Sequence, residues 1–112
     1  MMLPSGNDAA LTLAENFGRL MLTLRRAVKR DDHGKDPQGG SSIDIFVKEM
    51  NRVAKHVVHL RKTNYANPHG LAERANNSTA FDQALLASYA MKIPEFAQIV
   101  NTKSYTSVSY LP

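Results

Sequence analysis

The sequence predicts an all-α fold, a small bundle of three main helices plus a short fourth, followed by an extended C-terminal arm. Three observations carry that expectation. Apolar residues recur at helical spacing over 10–28 and again over 43–60, and a third segment, 79–91, is apolar nearly all round. A helix without a polar face must be covered on more than one side. The chain has 112 residues, of which 43% are hydrophobic and 21% charged, enough for one modest core and too few for two. A single helical domain over 1–102 is therefore expected, with a flexible connector at 31–42 and the arm at 103–112.

In the first helix, Ser5 and Asp8 have the spacing of a capping pair, and the run Asp31-Asp32-His33-Gly34 closes the segment. At about 100° per residue, Ala10, Leu13, Ala14, Phe17, Leu20, Met21, Leu24, Ala27 and Val28 share one face, which reads as core. Leu11, Gly18 and Leu22 lie on a flank, where a glycine permits close approach of a second neighbour. Residues 31–42 are polar apart from Gly and Pro and form a connector.

Ser41 and Asp44 repeat the capping spacing, and Ile43, Phe46, Val47, Met50, Val53, Ala54, Val57 and Leu60 make the second stripe. The first two helices should pack as an antiparallel pair. Ile45 points off that stripe toward some other contact. Asn67-Pro68 turns the chain, and a short helix is expected over 71–75. Thr79 and Asp82 start the third long helix, and Pro94 suits the first position of a short fourth that ends near Asn101. From Lys103 onward the residues are β-prone and hydroxyl-rich, without a helical stripe.

The absence of cysteine excludes disulfides, thiolate nucleophiles and cysteine-ligated metals. No apolar run approaches the roughly 20 residues of a membrane span, and the start Met-Met-Leu-Pro lacks a basic signal region, so a soluble cytoplasmic protein is expected. Asn76-Asn77-Ser78 and Asn77-Ser78-Thr79 are glycosylation sequons, read here as helix-start chemistry. His56 and His59, with Glu49, lack a third convincing metal ligand. No Gly-x-Ser-x-Gly elbow and no phosphate-loop glycine pattern occurs. No catalytic residue, cofactor, metal or small-molecule substrate is inferred, and the chain reads as a non-enzyme.

The expected function is that of an assembly or adaptor protein, a homo-oligomer or a subunit of a larger complex such as a viral particle. Its interface would be the surplus apolar surface of Phe81, Leu85, Leu86, Tyr89, Ile93 and Phe96, with Tyr105, Val108 and Tyr110 of the arm. The net charge of +4 and the basic cluster of Arg19, Arg25, Arg26, Lys29 and Arg30 support a second expectation, nucleic-acid binding. In that reading residues 83–100 form a helix-turn-helix, and Gln98 and Asn101 meet base edges.

Overall fold

A computed structural model describes residues 5–28 and 40–106 of the chain. It is all-α. The helices are α1 (Asn7–Val28), α2 (Ser42–His56), α3 (Ala80–Ala90) and α4 (Pro94–Val100). Among the described residues the sole extended pairing is an isolated antiparallel bridge between Asn64 and Asn77.

Local chemistry sets most helix ends where the sequence placed them. At α2 the capping box closes in both directions: the Ser41 hydroxyl accepts from the Asp44 N–H at 3.2 Å, and the Ser41 N–H donates to the Asp44 carboxylate at 2.9 Å. The hydrogen bond from the Ser41 N–H is the main cause holding the Asp44 carboxyl below the usual carboxylate range. Thr79 caps α3 by accepting from the Asp82 N–H, and Pro94 opens α4 after Ile93 in extended conformation. Helix α2 ends at His56, four residues before the end of its stripe. His59 takes a left-handed φ of 63°, and the Leu60 N–H then donates back to the Ala54 carbonyl at 2.8 Å, which folds Val58 and Leu60 into the core.

Two expectations about helices fail. The Ser5–Asp8 cap does not form: Ser5 has a φ of 53°, Asp8 accepts instead from its neighbour Ala9, and α1 begins at Asn7 with the Gly6 carbonyl receiving the Ala10 N–H. The helix expected over 71–75 is a loop. Side-chain amides of Asn64, Asn67 and Asn76 take up the carbonyls of Ala75 and Leu71 there, so a helical turn is displaced.

Helices α1 and α2 pack together, but along a different line from the one the stripe suggested. Ala10 and Ala14 of α1 and Ile45 and Ala54 of α2 are buried. Gly18 continues the small-residue ridge, and a Cβ there would stand 1.9 Å from the Ser42 carbonyl oxygen. The neighbour expected at the Gly18 flank is thus α2 itself. Because α2 seats on this ridge, Leu13, Phe17, Leu20 and Leu24, expected in the core, remain exposed. Phe17 keeps one aromatic contact, stacked on Phe46 at 6.5 Å between ring centroids. Ile45, expected off the α2 stripe in contact with another part, is buried.

A second cluster gathers Ala54, Val58 and Leu60, with Val53, Tyr65, Leu85 and Leu86 packed around it. Helix α3 meets the rest of the molecule here. Residues 29–39 of the expected connector and 107–112 of the expected arm lie outside the described residues, and 101–106 contain neither helix nor strand.

Candidate active site

The chain enters α1 through Ser5-Gly6-Asn7. Ser5 is exposed and left-handed, a conformation that costs a non-glycine residue of order 1–3 kcal/mol and that concentrates at functional sites. Asn7 follows as the first residue of α1, with Gly6 and Asn7 half-buried. A hydroxyl that both donates and accepts thus stands two residues from an amide that does the same.

A loop over 61–79 is held by side chains rather than by a ladder. Asn51 on α2 grips Tyr65 in both directions, donating to its carbonyl at 2.7 Å and accepting from its N–H at 2.8 Å. Asp82, buried at 2% exposure, accepts from the Lys62 N–H at 2.7 Å and the Thr63 hydroxyl at 2.8 Å. The Lys62 hydrogen bond is the largest cause keeping the Asp82 carboxyl below its ordinary value. Asn76 accepts from the Ala66 N–H at 2.6 Å, and Asn67 accepts from Gly70, whose φ is 79°. Between this loop, α2 and α3 opens an apolar cleft of about 350 Å³ lined by Phe46, Glu49, Met50, Val53, Ala54, Val58, Tyr65 and Leu86. Glu49 is taken up by Arg52 through two hydrogen bonds of 2.8 and 2.7 Å, which lowers its carboxyl's affinity for protons.

The residues singled out from the sequence do not form one surface. Phe81, Tyr89 and Ile93 are exposed, whereas Leu85 and Leu86 pack on the Ala54 cluster and Phe96 is half-buried. Tyr105 is exposed, and Val108 and Tyr110 fall outside the described residues. Of the basic residues, Arg19 pairs with Glu15, Arg25 and Arg26 are exposed, and Lys29 and Arg30 lie outside the described residues. Gln98 and Asn101 are exposed. Among the described residues no helix is long and apolar enough to cross a membrane.

The chain belongs to the D-alanyl-D-alanine carboxypeptidase family, whose match covers residues 37–110. It is 33% identical over 107 residues to a D-alanyl-D-alanine carboxypeptidase of Streptomyces, across 96% of this chain and 31% of that enzyme. It is 29% identical over 100 residues to the carboxypeptidase DacF of Bacillus subtilis, across 89% of this chain and 20% of the relative. A Haemophilus influenzae carboxypeptidase, DacA, is 26% identical over 107 residues, across 95% and 21% of the two lengths. The chain thus spans less than a third of the relatives it matches. No solved structure resembles it closely enough to count as a match.

Family membership overturns the adaptor reading, the non-enzyme reading and the nucleic-acid alternative. It likewise overturns the expected oligomeric, protein or nucleic-acid partner. Ser5 reads in the sequence as a helix cap, whereas its left-handed backbone is visible only in the structure.

Proposed function

We propose that this chain forms the helical part of a D-alanyl-D-alanine carboxypeptidase, and that Ser5 and Asn7 face the substrate peptide. The observation that carries the reading is the left-handed Ser5, exposed beside Asn7 at the start of α1. Penicillin-binding proteins combine S-x-x-K, which supplies the serine nucleophile, with S-D-N and K-T-G. Ser5-Gly6-Asn7 matches the second of these with glycine at its centre. Neither S-x-x-K nor K-T-G occurs in the 112 residues. The nucleophile is then supplied by a part of the fold beyond the roughly one-third that the chain spans.

In this reading the nucleophile's oxygen attacks the carbonyl carbon of the penultimate D-alanine. The C–N bond breaks, D-alanine leaves with a proton on its nitrogen, and water later releases the acyl group. The Ser5 hydroxyl passes the proton to the leaving nitrogen, since it accepts one hydrogen bond while donating another. The Asn7 amide donates to a carbonyl of the substrate and fixes its register. The cytoplasmic location expected from the sequence is a separate reading that this proposal does not require.

The test is a graft in which this chain replaces the matching residues of the Streptomyces relative. D-alanine release from a peptide ending in D-alanyl-D-alanine is then measured. Ser5→Ala is expected to cut kcat by about a hundredfold or more, with the circular dichroism spectrum unchanged. Full turnover in a folded Ser5→Ala graft would remove Ser5 from the reaction.

A further inference from the structure

The cleft between α2, α3 and the loop plays no part in the roles given to Ser5 and Asn7. Phe46, Met50 and Val53, at helical spacing on α2, line it together with Tyr65 of the loop and Leu86 of α3. Apolar side chains ordinarily close up such a space. Here its walls are pinned. Asn51 holds the Tyr65 N–H and carbonyl and spends its other amide proton on the Val47 carbonyl at 3.1 Å. Asp82 ties residues 62 and 63 to α3, the helix that carries Leu86. Tyr65 and Leu86 cannot close on α2 without breaking these bonds, so the space is preformed, as in small-molecule sites.

The charge beside the cleft is unbalanced. Glu49 is the one charged residue lining it among the described residues. Arg52 engages Glu49 through Nε and Nη2, and Arg25 of α1 is near enough to hold the same carboxyl down further. Two guanidiniums thus serve one carboxylate. Among the described residues neither the Arg52 Nη1 nor the Arg25 side chain has a hydrogen-bond partner.

We infer that the cleft binds a single-chain amphipathic anion, an alkyl carboxylate whose chain lies against Met50, Val53 and Leu86 and whose carboxylate meets Arg25 and Arg52. Size and charge select that occupant. A cavity of roughly 150 Å³ holds benzene, so the cleft's volume of about 350 Å³ has room for one chain of about ten to twelve carbons and not for a two-chain lipid. The surplus guanidinium favours a carboxylate, which it can meet with two parallel hydrogen bonds, over an alkyl ammonium. The site is distinct from the Ser5–Asn7 end of α1. Phe17, whose ring stacks on Phe46, lies ten residues beyond Asn7, about 15 Å along the helix. The inference therefore stands apart from the carboxypeptidase reading.

The experiment titrates decanoate into the 112-residue chain near neutral pH and follows the side-chain methyl signals by NMR. Saturable shifts at Met50, Val53 and Leu86 are expected, with a Kd of about 0.1–1 mM for a ligand of this size. Decylammonium, the same chain with the opposite charge, should bind about tenfold more weakly, and Arg25→Glu should weaken decanoate by about the same factor. Val53→Phe, which fills the space, should abolish binding. The decylammonium comparison needs no variant and decides the matter even where Val53→Phe fails to fold. Shifts that never saturate, or that fall on the exposed Leu13, Leu20 and Leu24 of α1 instead, overturn the site. Undiminished binding in a folded Val53→Phe chain does the same. Equal binding of decylammonium, or indifference to Arg25→Glu, overturns the anion as occupant.

Discussion

Helices α1 and α2 and the loop over 61–79 solve the same problem with opposite means. The helix pair hides its backbone internally and relies on shape, with Gly18 against Ser42 as the point of closest approach. The loop has no repeating pattern, and beyond the backbone pairing of Asn64 with Asn77 its backbone groups are held by the side chains of Asn51, Asn64, Asn67, Asn76 and Asp82. The helices are left with an uncovered apolar strip, whereas the loop's polar groups find partners within it and on α2 and α3. Regular structure makes a surface for another body to use, and irregular structure here consumes its polar groups to hold one shape.

If the helix pair rests on shape, a single added carbon should be the most damaging change. Gly18→Ala places its Cβ 1.9 Å from a backbone oxygen, which no side-chain rotation relieves. A loss of about 3 kcal/mol in urea unfolding is expected, and a change under 1 kcal/mol would show that the two helices slide apart freely.

If the loop rests on individual hydrogen bonds, removing one two-way partner should cost less but remain clear. Asn51→Ala strands the N–H and carbonyl of Tyr65, for an expected loss of about 2 kcal/mol by thermal unfolding. An unchanged midpoint would mean that water replaces the amide at no cost.

The smallest effect at neutral pH, and the most diagnostic, belongs to Asp82. Its carboxyl is held below the ordinary value, chiefly by the Lys62 N–H, so its contribution is present above the unfolded value of about 3.9 and is lost as pH falls through the lower folded value. Asp82→Asn should therefore flatten the acid limb of the stability curve below about pH 4. A limb of unchanged steepness would place the acid sensitivity elsewhere, with Asp44 and Glu49 the next carboxyls to test.

Residues whose effect is local were legible in the sequence. Ser41 with Asp44, Thr79 and Pro94 each act within one turn, and the helices begin beside them. The all-α class follows from the same short-range signals. What the sequence hid depends on partners distant along the chain. The stripe on α1 reads as a core face, yet its Leu13, Phe17, Leu20 and Leu24 are exposed, because which ridge meets α2 is decided by the absent Cβ of Gly18 and not by hydrophobicity. The loop's asparagines carry no periodicity, and only folding reveals that Asn51 reaches Tyr65. Ser5 was hidden for a different reason: its residue type suits a helix cap, and its left-handed backbone angle is not written in that residue type.

That angle sets stability and chemistry against each other at one position. Glycine tolerates a φ of 53° without strain and would make the approach to α1 easier to fold. Serine in its place costs folding free energy, a cost that the carboxypeptidase reading assigns to the need for a hydroxyl. Selection for thermal robustness alone would push this position toward glycine and, on the carboxypeptidase reading, would silence the enzyme as it did so.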